Sequence, residues 1–223
     1  MRYPDRRDAG RVLAEHLQAY ADGDSVVIAL PRGGVPVAFE VARALDAPLD
    51  LLAVRKLGAP GNPEFGVGAI AEDGTAVLDR DLARRTGMTQ DLLDQTVARE
   101  TRELHRRVAR YRGDRAPVAV QGRTAIVVDD GVATGLTDLA AVRAMRKAEA
   151  RRVVVAVPVG AGDSLALLAQ EADDVVCPLI PDDLLGVGRW YEDFAPAEDD
   201  EVLACLAQAR NGRAAPAQEE EQR

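Results

Sequence analysis

The sequence predicts an α/β protein built on a doubly wound, mainly parallel sheet. Two observations carry this. Short apolar, β-branched runs alternate with longer segments of helical periodicity. The runs are Ser25 to Leu30, Asp50 to Val54, Thr124 to Val128, Arg152 to Pro158 and Asp174 to Cys177. Twice, such a run ends in a glycine-bearing turn that opens directly into a helix, at Pro31-Arg32-Gly33-Gly34 and at Gly131 to Gly135. Five parallel strands in the order 2-1-3-4-5 place these two turns side by side. Sheets of this kind bind ligands there, beyond the carboxyl ends of the strands. A chain of 223 residues is long enough for one such domain.

The elements follow in order. Asp8 to Ala21 carries Leu13, Leu17 and Tyr20 on one helical face, and Gly23 ends it. After the first strand, a helix runs over about Val35 to Leu45. Pro36 suits its first turn, and Val37, Val41 and Leu45 face the sheet. The second strand, Asp50 to Val54, delivers Arg55 and Lys56 at its end. Gly58 to Glu64 reads as a loop, because Pro60, Gly61, Asn62 and Pro63 stand together. Phe65 to Ala71 and Thr75 to Leu78 form a β-hairpin turned by Glu72-Asp73-Gly74. The loose dinucleotide-like pattern from Gly66 through Gly68 to Ala71 is therefore set aside: it follows a loop, and no helix follows it.

Helical periodicity resumes from Asp81 to Arg112, broken near Gly87. Leu93, Val97, Leu104, Val108 and Tyr111 form a stripe, and alternating acids and bases read as a solvated face. This segment, about 80–112, is an insertion packed on the core or on a partner subunit, which leaves room for a homodimer. Helices over about Leu136 to Ala148, Asp163 to Glu171 and Glu198 to Gln208 complete one domain over residues 1–210. Residues 211–223, rich in Ala, Gln and Glu, read as a disordered tail.

Composition excludes several classes. A net charge of −9 argues against a general nucleic-acid binder. Cys177 and Cys205 are isolated and lack metal-ligand spacing, which fits reduced residues of a cytoplasmic protein. No apolar run approaches a membrane span, and the N-terminal MRYPDRRDAG is not a signal peptide. His16 and His105 lie in charged helical segments and read as solvated surface residues.

The chemistry concentrates in TAIVVDDGVATGLT, Thr124 to Thr137. A strand, a small-residue loop and a helix N-terminus make an anion site, because free N–H groups and the helix dipole both face the loop. Thr134 and Thr137 add hydroxyl donors. One aspartate there would simply end a strand. Two, Asp129 and Asp130, suit the vicinal hydroxyls of a phosphorylated sugar, or a metal held directly or through water. No Lys-Ser/Thr pair follows the last glycine, so this is not a Walker A loop. The turn Arg32-Gly33-Gly34 is a second candidate anion site, with a close-approach backbone and a forked cation.

The run of apolar residues, two acids and Gly131-Val132-Ala133-Thr134-Gly135-Leu136-Thr137 resembles the PRPP-binding signature of type I phosphoribosyltransferases. The resemblance implies that Asp129 and Asp130 bind the ribose hydroxyls and Mg²⁺, and that Gly131 to Thr137 hold the 5-phosphate. It implies that Arg32, Gly33, Gly34, Arg55 and Lys56 meet the pyrophosphate, with a cis peptide at Arg32–Gly33. Gly58 to Glu64 would be a mobile cover. The stretch from Ile180 to Phe194, with Asp182, Asp183, Trp190 and Tyr191, resembles the hood over the acceptor, about 180–195, and aromatic rings there suit a planar base. The implied activity is transfer of ribose 5-phosphate from PRPP to a nitrogenous acceptor in nucleotide salvage. Asp129, Asp130, Arg32 and Lys56 would carry catalysis. Ala133 stands where hypoxanthine-guanine enzymes usually have an aspartate, so the acceptor stays open. The alternative is a non-catalytic regulator that senses PRPP or nucleotides.

Overall fold

In the computed structural model, which describes residues 2–213, the chain begins with α1 (Arg6–Glu15) and a short 3-10 turn. It then enters β1 (Ser25–Ala29), α2 (Gly34–Ala44) and β2 (Leu49–Leu51). Three further strands follow, β3 (Val54–Ala59), β4 (Asn62–Ala71) and β5 (Ala76–Leu78), and then α3 (Arg80–Arg85) and α4 (Gln90–Arg112). The second half runs β6 (Thr124–Val128), α5 (Leu136–Lys147), β7 (Arg152–Ala156), α6 (Gly162–Leu168), β8 (Asp174–Val176) and α7 (Asp199–Arg213).

Five strands form the central sheet in the order β2-β1-β6-β7-β8, all parallel. This is the order 2-1-3-4-5 read from the sequence. The strands are continuous apolar runs because both faces are covered. Alternate residues divide between two cores. Val27, Ala29, Ile126 and Val128 pack with α1, α2, α4 and α7. Val26, Ile28, Ala125 and Val127 pack with α5 and the small antiparallel sheet. That second sheet, β3-β4-β5, includes the expected hairpin about Glu72 to Gly74.

Caps fix several boundaries. Asp5 accepts from the Asp8 N–H, Asp79 from Leu82 and Thr89 from Leu92. The helical segment breaks between α3 and α4 at Gly87, with φ of 74°.

Three expectations need correction. The second strand is not continuous from Asp50 to Val54. The parallel strand stops at Leu51, whose carbonyl accepts from Arg112 Nη2 at 2.7 Å. The Ala53 N–H then turns to Glu72 Oε2, at 2.9 Å. Arg55 and Lys56 therefore lie within β3 of the antiparallel sheet and not at the end of a parallel strand. Gly58 to Glu64 is not a loop but the tip of the β3–β4 hairpin, with register shifts on either side of Gly58. A Cβ at Gly58 would overlap the Pro63 backbone, so glycine is what lets the bulged strands approach. Of the proposed tail, residues 211–213 form the end of α7; residues 214–223 lie outside the described residues.

Candidate functional site

β6 ends at Val128 and the next two residues are the carboxylates. The loop beyond them is pinned from below. The Val132 N–H donates to the Val159 carbonyl at 2.9 Å, and the Ala161 N–H donates to the Val132 carbonyl at 3.0 Å. Ser164 Oγ donates to the Ala133 carbonyl at 2.6 Å. Gly135 then takes φ of 74°, a conformation costly for other residues, and α5 starts. Among the described residues, no N–H from Ala133 to Thr137 donates to a backbone carbonyl. The result is a pinned loop that presents a row of donors at the positive end of a helix.

The first turn faces the same place. Gly33 touches the Asp130 side chain so closely that a Cβ would overlap its carboxylate. At Gly34 a Cβ would lie 2.9 Å from Asp129 Cα and 3.1 Å from its Oδ1. The two turns predicted as neighbours are thus in contact, and the aspartates lie between them. The non-proline cis peptide falls at Pro31–Arg32, one bond before the expected Arg32–Gly33.

Burial, then the neighbouring carboxyls of Asp130 and Asp138, hold Asp129 well above the usual carboxylate range. Burial raises Asp130 too, against the pull of Arg6. Asp138, in the first turn of α5, is only 3 % exposed, and burial pushes it up to about 7. Its Oδ1 has no hydrogen-bond partner among the described residues. Three carboxyls therefore share one poorly solvated corner, which favours a cation or hydrogen-bond donors arriving there.

Two of the expected cations, Arg32 and Arg55, face acids. Arg32 Nη1 lies 3.7 Å from Glu198 and 3.8 Å from Asp199, at the start of α7. Arg55 donates to buried Glu100 of α4 at 2.9 Å. α4 thus packs on the core, one of the two placements the sequence left open. The stem of Lys56 lies over Gly66 across the hairpin.

The hood residues divide. Val187 sits against Gly131, where a Cβ would come within 2.5 Å of it. Tyr191 is 3 % exposed, with ring centroids of Tyr3 and Phe194 at 5.6 and 4.9 Å. Its hydroxyl donates to the Asp130 carbonyl at 2.6 Å. That burial leaves no open face for a planar acceptor, so Tyr191 holds the carboxylate loop instead. Trp190 is half-buried, and Asp182 and Asp183 are exposed.

Three contributors had no sequence signal. Arg6 reaches Asp130 from α1, Ser164 reaches the loop from α6, and Asp138 hides in a helix turn; only the fold brings them together. Two large cavities, of about 600 and 570 Å³, lie between α3 and α4 and beneath residues 116–121, and the two turns line neither.

A doubly wound sheet with two apposed glycine turns, each opening into a helix, and a carboxylate pair between them defines an α/β protein with its candidate site beyond the carboxyl ends of β1 and β6. A phosphoribosyl transferase domain model matches residues 5–189, and the chain belongs to that family. Two Mycobacterium tuberculosis proteins, from strains CDC 1551 / Oshkosh and ATCC 25618 / H37Rv, are named as presumptive phosphoribosyl transferases. Each is 47% identical over 207 residues, 93% of this chain and 47% of theirs. The chain thus spans about half the length of these curated relatives. The crystal structure of TT1426 from Thermus thermophilus matches with a TM-score of 0.78 at 45% identity, covering 93% of this chain and 99% of that one.

Proposed function

We propose that the chain transfers ribose 5-phosphate from PRPP to an acceptor nucleophile and releases pyrophosphate. The observation that carries this is the row of N–H groups from Ala133 to Thr137 that, among the described residues, donate to no backbone carbonyl, set beside a carboxylate pair that abuts Gly33 and Gly34. The 5-phosphate takes the N–H row and the hydroxyls of Thr134 and Thr137. Asp129 and Asp130 accept from the ribose hydroxyls. The pyrophosphate meets the Arg32–Gly34 turn, and in this reading Arg55 and Lys56 of the β3–β4 hairpin serve the same group.

In the reaction the bond from C1 to pyrophosphate breaks, and its electron pair leaves with the pyrophosphate. A bond from C1 to the acceptor forms, and the acceptor loses its proton. Positive charge developing on the sugar is opposed by the two carboxylates, and negative charge on the leaving group by Arg32 and Lys56.

The donor set fits Mg²⁺. Among the described residues no group of three or more His, Cys, Asp or Glu side chains is arranged to hold a metal. Mg²⁺ takes one or two carboxylates and completes its shell with phosphate oxygens and water, which Asp129, Asp130 and PRPP would supply. When bound, it neutralises charge on the pyrophosphate.

The Ala133 carbonyl is engaged by Ser164, and its side chain offers no base. The acceptor nitrogen therefore brings its own acidity or uses an acid of the hood, Asp182 or Asp183, with Trp190 as the available ring. Free thiols at Cys177 and Cys205 suit a reducing compartment such as the cytoplasm, and a role in nucleotide salvage would follow from the proposed reaction. Among the described residues no helix is long and apolar enough to cross a membrane. Release of pyrophosphate from PRPP with Mg²⁺, over a panel of purines, pyrimidines and small amines, tests the reading. Turnover with one of them is expected; PRPP binding without turnover on any would replace the enzyme with a sensor.

A further inference from the structure

We propose that Arg6 is a positioning residue for the sugar-binding carboxylate of Asp130, and that it ties this carboxylate to the C-terminal end of the hood. The inference rests on the phosphoribosyl-transfer reading above. Arg6 is fixed at three points. Its Nε donates to Asp130 Oδ2 at 2.8 Å, and its Nη1 donates to the Ala195 carbonyl at 2.7 Å. Its guanidinium lies 3.9 Å from the centroid of the Phe194 ring. The side chain is only 12% exposed, so the ion pair is shielded from solvent.

The geometry leaves Asp130 little freedom. Gly33 closes one side of the carboxylate, and a Cβ built there would already come within 3.3 Å of Arg6 Nε. Tyr191 holds the Asp130 backbone from behind. Arg6 engages one carboxyl oxygen, and the other remains to accept from a sugar hydroxyl. A planar fork that spans Asp130 and Ala195 while stacking on a ring is a task for arginine; a lysine ammonium provides the charge without the span. The element that supplies Arg6 is itself clamped to the hood: the Tyr3 N–H donates to the Trp190 carbonyl, and the Glu192 and Asp193 N–H groups donate to the Tyr3 and Pro4 carbonyls.

Calorimetry with Mg²⁺ and three probes, PRPP, ribose 5-phosphate and pyrophosphate, tests this on the full chain. Arg6→Ala is expected to weaken PRPP and ribose 5-phosphate by at least about tenfold, or 1.4 kcal/mol, and pyrophosphate by less than about twofold. Added guanidinium ion at low millimolar concentration should recover part of the loss. Arg6→Lys should show the same selectivity with a smaller loss, and it serves where the alanine variant does not fold. Tyr3→Phe, which removes the hydrogen bond to the Pro158 carbonyl in the same packed segment, should lower stability and leave all three affinities in place. Unchanged PRPP affinity in Arg6→Ala overturns the proposal. So does an equal loss for all three probes, or the same selective loss in Tyr3→Phe, since either assigns the effect to packing. A wild-type chain that binds pyrophosphate but neither sugar phosphate overturns the functional reading itself, before any variant is compared.

Discussion

Single atoms decide the site. Gly33 has no room for a methyl group, because the Asp130 carboxylate occupies that space. Gly33→Ala must displace the carboxylate or the turn, and it should lower PRPP affinity by more than about tenfold in calorimetry. Asp129→Asn with Asp130→Asn should lower PRPP-dependent turnover far more than stability, since each lost charged hydrogen bond costs about 1.5–3 kcal/mol. Normal turnover in that double variant would remove both residues from the site. Asp138 supplies a pH test. Its carboxyl is raised to about 7 by burial, so the fold favours the protonated acid. Its contribution to stability is complete below the ordinary carboxylate value near 4 and is lost as pH rises to about 7. Asp138→Asn cannot ionise, and its denaturation free energy should fall less steeply than that of the wild type between about pH 4 and 7. An unchanged slope would show that Asp138 ionises freely.

At the scale of elements, α4 is core. Leu104 is 1 % exposed and packs in the cluster that includes α2 and α7, and Glu100 carries Arg55. Leu104→Ala should cost about 2–5 kcal/mol in chemical denaturation; a loss near zero would return α4 to the surface. The β6–loop–α5 unit was legible in sequence because a buried strand, two acids and a glycine loop follow one another without interruption. The division between β2 and β3 was not legible. Leu49 to Val54 is nearly continuous in apolar character, with no Pro or Gly to mark the turn, and only pairing with Glu72 and Arg112 ends the first strand. The Gly58 to Glu64 tip misled for the opposite reason. Its prolines and glycines signal a loop, yet a bulge accommodates them in paired strands. Arg6 and Tyr191 were invisible as partners of Asp130 because they lie 124 and 61 residues from it.

For the whole molecule, ligand binding and folding are linked. A ligand that binds only the folded state at about a hundred times its dissociation constant adds about 2.7 kcal/mol. PRPP with Mg²⁺ should therefore raise the melting temperature, and the Asp129→Asn/Asp130→Asn chain should show no such rise. The pairing of Tyr3 and Pro4 with residues 190–193 bears on how the protein is made. On the ribosome α1 emerges before its partner segment, which follows only after every strand of the central sheet. Such long-range closures are late and slow events in folding. A nascent chain halted before Tyr191 would already hold that whole sheet, with Asp130 not yet gripped from behind. In the phosphoribosyl-transfer reading, competence to bind the sugar phosphate would then wait for the hood to emerge.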